Sequence, residues 1–308
     1  MAKRRRIGLA LGSGAARGWA HIGVIDALKD AGIEPDIICG TSMGALVGAA
    51  YVAGRLPGLR QWVEDATWRE VVALIDVRLS GGGLVDGKLI VKFLRELGIE
   101  KPIESYPKRF AAVATDLASG REVWLQTGPI HDVVRASIAM PGILSPGKID
   151  GQWLTDGGLT NPVPVSVCRA LGSDVVIAVN LNGDLVGRRF EADADAPMTP
   201  GQTRATSDFL EKLLSRLPVA MREHVGPIAA RLFAQGTLSP GYFDVLANSL
   251  NIMQDHITRT RLAGEPPHVH LIPRLSDFGW MEFNRGKEAI AEGRACVEHA
   301  LPMLERYL

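Results

Sequence analysis

The chain has 308 residues, of which 46% are hydrophobic, 6% aromatic and 22% charged, enough for one large domain or a domain with an appendage. Lys and Arg total 34 and Asp and Glu total 34, so no net charge favours a nucleic-acid partner. The three cysteines, Cys39, Cys168 and Cys296, have no paired spacing and are expected to be small core residues in a reducing compartment.

A glycine-rich loop follows the first predicted strand. Residues 6–11 form an apolar run typical of a buried strand, and helical periodicity begins at Trp19. Between them lies the run Gly12-Ser13-Gly14-Ala15-Ala16-Arg17-Gly18. A dinucleotide-binding loop would need glycine where Arg17 stands and an acidic residue at the end of the next strand, and the chain has neither. The loop is therefore interpreted as an oxyanion hole built from backbone N–H groups, or as a tight turn without a ligand.

A second sharp turn separates the apolar segments 36–39 and 45–53. Its sequence, Gly40-Thr41-Ser42-Met43-Gly44, matches the G-x-S-x-G pattern of a nucleophile elbow. Glycine is needed on both sides of the serine because the strand and the helix approach too closely for a Cβ atom. The partial positive charge at a helix N-terminus favours an alkoxide and an oxyanion. Ser42 is therefore the candidate nucleophile.

Strand and helix patterns alternate further along the chain. A helix is predicted at 88–97 and strands at 110–115, 122–125 and 174–179. The triplet Gly81-Gly82-Gly83 is interpreted as a loop rather than part of an active site. This alternation predicts an α/β fold with a mostly parallel sheet covered by helices on both faces.

The serine needs a base, and few side chains qualify. A short apolar strand at 152–154 brings Asp156 to a strand end, and Gly157-Gly158 lets another backbone approach it closely. A carboxylate before two glycines is also common in ordinary turns. Asp156 is nevertheless the best candidate base in the sequence.

The composition changes after Asn182. Residues 183–204 are rich in Asp, Ala, Pro and Gly and predict a long mobile loop. The expected organisation is a catalytic core over 1–182, this loop, and a mainly helical part over 205–308 that packs on the core.

The C-terminal part is predicted to contain three helices and one short strand. The helices are expected at 207–217, 242–262 and 284–306, and the strand at 268–272. The segment 225–243 stays open between core packing, an acyl-pocket lining, a lid and a membrane contact.

The order of glycine loop, G-x-S-x-G elbow and D-G-G motif resembles the patatin-like phospholipase family. The resemblance spans about residues 6–180 and includes Arg135-Ala136-Ser137-Ile138-Ala139-Met140-Pro141-Gly142 and Asn161-Pro162. The stretch Trp19-Ala20-His21-Ile22-Gly23-Val24 is similar to the bacterial cytoplasmic branch of that family. The resemblance implies a three-layer α/β/α fold with a mostly parallel central sheet and a helical C-terminal extension.

The resemblance also implies a Ser-Asp dyad in which Ser42 is the nucleophile and Asp156 its base. The two side chains are expected within hydrogen-bond reach of each other. The oxyanion hole would be the glycine loop, namely Gly12, Ser13, Gly14 and Ala15, with the N–H groups around Gly14 and Ala15 facing the cavity. The residues expected to support the loop and the elbow are Arg17, Gly18, Gly40, Gly44, Gly157 and Gly158.

The glycine loop departs from the D-G-G-G-x-R-G form of the family. Gly12, Ser13 and Ala15 stand where Asp and two glycines can stand. Alanine keeps its N–H, so the hole is expected to persist if φ at Ala15 is negative, whereas a required positive φ, which disfavours alanine, would count against the site. Arg17 is interpreted either as a contact for a phosphate or carboxylate, or as a brace for the loop.

The expected function is a serine acyl hydrolase that cleaves carboxylic esters of lipids, of the phospholipase A or lysophospholipase type. One alternative is an α/β-hydrolase-type esterase whose triad uses His268 or His270 as the base. Another is a non-catalytic regulator that binds an acyl ligand or a protein partner.

The expected partner is a lipid or other acyl-ester substrate, with no nucleic acid, no cofactor and no metal, because the seven histidines lack metal-binding spacing. No apolar run is long enough for a membrane span, and no signal sequence follows the basic cluster at 3–6. We expect a cytoplasmic protein. The basic cluster could draw it to the inner face of the membrane as a peripheral protein, or could simply be solvated.

Overall fold

The structure is a computed structural model that describes residues 4–76, 83–185 and 242–307. The predicted helix at 207–217, nearly all of the predicted loop at 183–204 and nearly all of the segment 225–243 lie outside the described residues, as do Gly81 and Gly82.

The described strands form one mixed, mostly parallel sheet. They are β1 Ile7–Leu11, β2 Ile37–Thr41, β3 Arg109–Asp116, β4 Glu122–Leu125, β5 Gly147–Ile149, β6 Gln152–Asp156, β7 Val175–Val179 and β8 Val269–Leu271. Hydrogen-bonded neighbours follow the path β5-β6-β3-β2-β1-β7-β8, and β4 pairs with the other edge of β3. The run from β3 to β8 is parallel throughout, whereas β4 and β6 are antiparallel to β3. The predicted α/β fold class is therefore confirmed.

Helices cover both faces of this sheet. They are α1 Ala20–Asp30, α2 Met43–Val52, α3 Leu56–Asp65, α4 Trp68–Ala73, α5 Lys88–Glu96, α6 Ile130–Ser137, α7 Val165–Ala170, α8 Tyr242–Gly264 and α9 Gly286–Leu304. Successive residues of a strand point to opposite faces, so Leu9 and Leu11 of β1 belong to one core cluster and Ala10 to the other. The first cluster packs beneath α1, α2 and α9, and the second beneath α7.

Most predicted elements between residues 88 and 306 are confirmed with their ends within two residues. The short strand β5 and the helices α3, α4, α6 and α7 were not predicted individually. They are three to ten residues long, so their sequences contain too few turns or alternations for a clear period.

The C-terminal helix α9 packs on α1 at glycine. A Cβ at Gly23 would collide with the Ile290 carbonyl, and a Cβ at Gly293 would collide with the Ala20 carbonyl. The two backbones therefore touch, and α9 fixes the first helix after the glycine loop. Within the described ranges, no helix combines the length and the apolar character needed to cross a membrane.

Candidate active site

Ser42 lies in a strained turn between β2 and α2. Its φ of 57° and ψ of −123° place a non-glycine residue in a left-handed region that costs about 1–3 kcal/mol. The two elbow glycines explain the closeness of the turn: a Cβ at Gly40 would collide with the Gly44 carbonyl, and a Cβ at Gly44 with the Leu11 carbonyl. The geometry expected of a nucleophile elbow is present.

Strand register explains why Ser42 and Asp156 meet. β2 runs parallel to β3 with Thr41 opposite Val113, and β6 runs antiparallel to β3 with Asp156 opposite Ala114. β4 pairs with residues 112–115 of β3, which overlap both the part of β3 paired to β2 and the part paired to β6. β4 therefore occupies one edge of β3, and β2 and β6 share the other edge. Their carboxyl ends therefore meet head to head, which brings Ser42 and Asp156 together.

The predicted hydrogen bond between the two side chains is present. Ser42 Oγ donates to Asp156 Oδ2 at 2.6 Å, and both residues are buried, at 3% and 2% exposure. The other carboxylate oxygen, Oδ1, accepts from the Gly158 N–H at 2.7 Å, which uses the predicted glycine pair. Burial raises the pKa of Asp156 to about 6, against the two hydrogen bonds that lower it. The carboxylate is thus mostly ionised near neutral pH and is more basic than an exposed aspartate.

The Ser42 backbone is held by a residue that the sequence indicated only through the family resemblance. Ser137 Oγ accepts from the Ser42 N–H at 2.9 Å and donates to the Val113 carbonyl at 2.6 Å. Thr41 Oγ1 donates to the Asn161 carbonyl at 2.8 Å. The elbow is therefore pinned to both β3 and the segment after Asp156.

The glycine loop offers fewer oxyanion donors than predicted. The Gly12 N–H donates to the Val179 carbonyl at 3.0 Å, and the Ser13 N–H donates to the Pro162 carbonyl at 2.8 Å. These two N–H groups already donate to backbone carbonyls, so an oxyanion would have to be bound by other members of the predicted set. Gly14 and Ala15 are the members of the predicted set whose N–H groups have no backbone acceptor among the described residues.

Ala15 does not meet the condition of a negative φ on which the expected oxyanion hole depended. Its φ is 48°, in the left-handed region, which costs an alanine about 1–2 kcal/mol. Hydrogen bonds on either side hold the conformation: the Ala16 N–H donates to the Trp280 carbonyl at 3.1 Å, and the Arg17 N–H donates to the Gly14 carbonyl at 3.2 Å. The cost of this φ comes from the Cβ of Ala15, and the backbone N–H of Ala15 stays available as a donor.

Two polar side chains anchor the loop from behind. His21 Nε2 lies 2.7 Å from the Gly12 carbonyl, and burial lowers the His21 pKa to about 4, so the ring is neutral and Nε2 carries the donated proton. Arg17 is 1% exposed and donates to Asn182 Oδ1 and Asn251 Oδ1, both at 3.1 Å. Arg17 therefore ties the loop to the segment after β7 and to α8.

Sequence reasoning missed the contribution of α8. Gln254 Oε1 accepts from Asn182 Nδ2 at 2.9 Å, and Gln254 packs so closely on Gly158 that a Cβ there would collide with its amide nitrogen. Asn251 and Gln254 also line a small pocket of about 20 Å³ beside Gly14. In the sequence they are ordinary polar residues of a long helix, and only the tertiary position of α8 gives them a place beside the dyad.

The histidines proposed for a triad lie elsewhere. His268 and His270 belong to the β8 end of the sheet, with β7 and β1 between β8 and β2. At about 4.8 Å per strand this is roughly 14 Å from the elbow strand. His268 Nδ1 also accepts from the Val176 N–H at 3.0 Å. The geometry gives no support to a histidine base from this strand.

An apolar cavity of about 150 Å³ opens beside Ser42. It lies between α2 and the outer helices α3, α4 and α5, with Leu46 on one side and Trp62 and Phe93 on the other. Its lining, within the part of the chain that the structure describes, contains no charged side chain. The candidate nucleophile therefore borders a site suited to hydrocarbon.

The fold and the site define an α/β protein with a buried serine–aspartate pair at a nucleophile elbow. Residues 9–169 match the family described as Patatin-like phospholipase. The chain belongs to this family of lipid hydrolases.

Individual relatives agree with this assignment. An uncharacterized NTE family protein of Mycobacterium tuberculosis is 36% identical over 332 residues, covering 97% of this chain and 92% of the relative. A second uncharacterized NTE family protein of that organism is 29% identical, and 46% of its length is covered. Patatin-like phospholipase domain-containing protein 7 of Rattus norvegicus is 34% identical over 194 residues, covering 61% of this chain and 14% of the relative.

Proposed function

We propose that the protein is a serine acyl hydrolase that cleaves carboxylic esters of lipids through Ser42 and Asp156. The observation that supports this most directly is the 2.6 Å hydrogen bond from Ser42 Oγ to a buried carboxylate. Family membership supports lipid hydrolysis in general. The pair of residues, the oxyanion donors and the substrate type are our assignments.

The first half-reaction would acylate Ser42. Asp156 Oδ2 accepts the hydroxyl proton as Ser42 Oγ attacks the ester carbonyl carbon, and the carbonyl oxygen becomes an oxyanion. The N–H groups of Gly14 and Ala15 would hold that oxyanion, each donor contributing roughly 3 kcal/mol to the transition state. Collapse breaks the ester C–O bond, and Asp156 returns the proton to the departing alcohol.

The second half-reaction would release the acid. Asp156 accepts a proton from a water molecule, which attacks the acyl-serine carbonyl, and the proton returns to Ser42 Oγ as the carboxylic acid departs. The raised pKa of Asp156 suits both directions of transfer, because a base with a pKa near the working pH can accept and return a proton.

The apolar cavity beside Ser42 supports lipid acyl esters, of the phospholipase A or lysophospholipase type, over small polar esters. For the cellular setting we propose the cytoplasm, with peripheral contact at the inner membrane face as the route to a bilayer substrate.

A non-catalytic acyl-binding protein would share the cavity but would have no use for the Ser42–Asp156 bond. The test is turnover of a panel of lysophospholipids, phospholipids, acyl thioesters and soluble esters by wild type, Ser42→Ala and the control Ser105→Ala. Ser105 is exposed and precedes β3 at the end of that strand opposite the elbow. We expect Ser105→Ala to match wild type and Ser42→Ala to lose activity on every substrate. Equal turnover by Ser42→Ala, or none by wild type, would overturn the proposal.

A further inference from the structure

The apolar cavity has a direction set by helix α2. Ser42 stands at the N-terminus of α2, and Leu46 projects into the same cavity one turn later. One turn of helix advances about 6 Å for four residues. An acyl chain attached to Ser42 Oγ would therefore run past Leu46, away from the sheet edge and toward the outer helices.

Aromatic rings line part of this path. The rings of Trp62 on α3 and Phe93 on α5 lie 4.6 Å apart between centroids, and Trp62 also meets Trp19 edge to face at 6.3 Å. Ile90, one turn before Phe93, lines the cavity from α5. Large rings that contact one another cannot change conformation independently. A bound acyl chain therefore displaces them less easily than it would displace separate aliphatic side chains.

The volume of the cavity limits what it can enclose. An apolar cavity of about 150 Å³ has the size that accommodates one benzene molecule in another protein, or about six carbon atoms. A longer chain would have to leave the enclosed space and lose part of the benefit of burial.

We propose that this cavity sets the length of the acyl chain that the protein prefers. It holds about six carbons beyond the ester carbonyl, and Leu46, Ile90 and Trp62 set that length. The preferred substrates are then esters of single, medium-length, unbranched acyl chains. This inference rests on the proposed function for the orientation of the chain, but the cavity and its walls are independent of catalysis.

The proposal predicts a break in the plot of kcat/KM against acyl length, that is, a chain length beyond which kcat/KM no longer rises. Each methylene buried in the cavity should raise kcat/KM about fourfold, the factor that corresponds to 0.8 kcal/mol per buried CH₂. With p-nitrophenyl esters from acetate to dodecanoate, each kept below its solubility limit, the rise should stop at about six to eight carbons and then level off or reverse.

Three variants should move the break. Ile90→Phe and Leu46→Phe fill the cavity and should shift it to shorter chains, whereas Trp62→Ala should shift it to longer ones. Ile90 is half-buried, which makes Ile90→Phe the better-tolerated filling variant. The matched control is Leu59→Ala, a buried residue of α3 outside the cavity, which should leave the break in place. A break that stays put in all the cavity variants, or a profile that does not rise with chain length, would overturn the proposal.

A binding measurement separates this inference from the proposed function. Trp19 and Trp62 line the cavity, so tryptophan fluorescence can report the binding of n-alcohols from butanol to dodecanol to Ser42→Ala. We expect affinity to rise about fourfold per methylene up to the same break. If no ester is turned over but the alcohols show the break and its shifts, the hydrolase proposal fails and the cavity proposal stands. If esters are turned over but neither measurement shows a movable break, the cavity proposal fails alone.

Discussion

The elbow and the glycine loop are both strand-to-helix turns, and each holds a non-glycine residue at positive φ, 57° at Ser42 and 48° at Ala15. They differ in what surrounds their glycines. At the elbow, Gly40 and Gly44 both face backbone atoms. In the loop, Gly12 also faces a backbone carbonyl, that of Val179, whereas Gly14 faces the side chain of Leu181. A side chain can be trimmed by mutation and a backbone cannot.

The two strained residues also differ in what their side chains do. The Ser42 hydroxyl makes the hydrogen bond to Asp156, so strain there accompanies the contact on which the proposed reaction depends. The Ala15 methyl has no such role, because an oxyanion needs only the N–H. We therefore expect substitutions at the elbow glycines to be poorly tolerated, and a substitution at Gly14 of the loop to be open to rescue by a second mutation.

The largest predicted effect is on the chemistry of the elbow. Asp156→Asn keeps the shape of the side chain but cannot accept the Ser42 proton, so kcat/KM should fall by about 10⁴-fold. Steady-state kinetics with a soluble ester would measure it, with circular dichroism to confirm folding. An Asp156→Asn variant that stays folded and keeps more than a tenth of wild-type activity would rule out Asp156 as the base.

The next effect distinguishes a glycine that faces backbone, Gly44, from a glycine that faces a side chain, Gly14. Gly44→Ala should lower the free energy of unfolding by about 3 kcal/mol or more, because its Cβ meets the Leu11 carbonyl. Gly14→Ala should be partly rescued by Leu181→Ala, because the new Cβ would lie 2.6 Å from Leu181 Cδ1. Urea unfolding of the single and double variants measures both. Absence of any coupling between Gly14→Ala and Leu181→Ala would contradict the distinction.

A smaller effect follows from the raised pKa of Asp156. The reaction needs the carboxylate, so kcat/KM should rise with pH through about 6. Stability should change in the opposite direction: between about pH 4 and pH 6 the folded protein keeps a proton that the unfolded chain has released, so the free energy of unfolding falls as pH rises. Asp156→Asn should abolish this contribution. If the free energy of unfolding depended on pH in the same way in wild type and in Asp156→Asn, the prediction would be contradicted.

The smallest predicted effect concerns the strain itself. Glycine accepts positive φ without a Cβ penalty, so Ala15→Gly should raise the free energy of unfolding by about 0.5–1 kcal/mol after the entropy of the unfolded chain is counted. Its activity should stay within about twofold of wild type. Ala31→Gly, at a helix end with φ −81°, is the matched control and should be neutral or destabilising. Destabilisation by Ala15→Gly would show that the methyl packs favourably.

The alternating strand and helix patterns were sufficient to predict the fold class, and the glycine-flanked turns had local signatures. The meeting of Ser42 with Asp156 was predicted only through the resemblance to a known family. The sequence was not sufficient to assign the oxyanion donors. The fates of the Gly12 and Ser13 N–H groups depend on carbonyls at Val179 and Pro162, more than 140 residues away. A sequence read one segment at a time cannot show which donors such long-range pairing consumes.

The same limit applies to the parts of the site that come from elsewhere in the chain. Gln254 reaches Gly158 because α8 packs against the segment Gly157–Leu159 after β6, and Trp62 meets Phe93 because their helices α3 and α5 lie side by side. The sign of φ at Ala15 was also beyond the sequence, since alanine is ordinarily found at negative φ and tertiary hydrogen bonds overrode that preference.

The central claim is that Ser42 is activated by Asp156 without a histidine. The most direct measurement is the rate of labelling by a fluorophosphonate probe, followed by intact-protein mass and peptide mapping, in wild type, Ser42→Ala, Asp156→Asn and the double variant His268→Asn/His270→Asn. We predict one adduct, on Ser42, at equal rates in wild type and the histidine variant, at a greatly reduced rate in Asp156→Asn, and not at all in Ser42→Ala. An adduct on a different serine, or labelling that survives Asp156→Asn but collapses in a folded histidine variant, would contradict the claim.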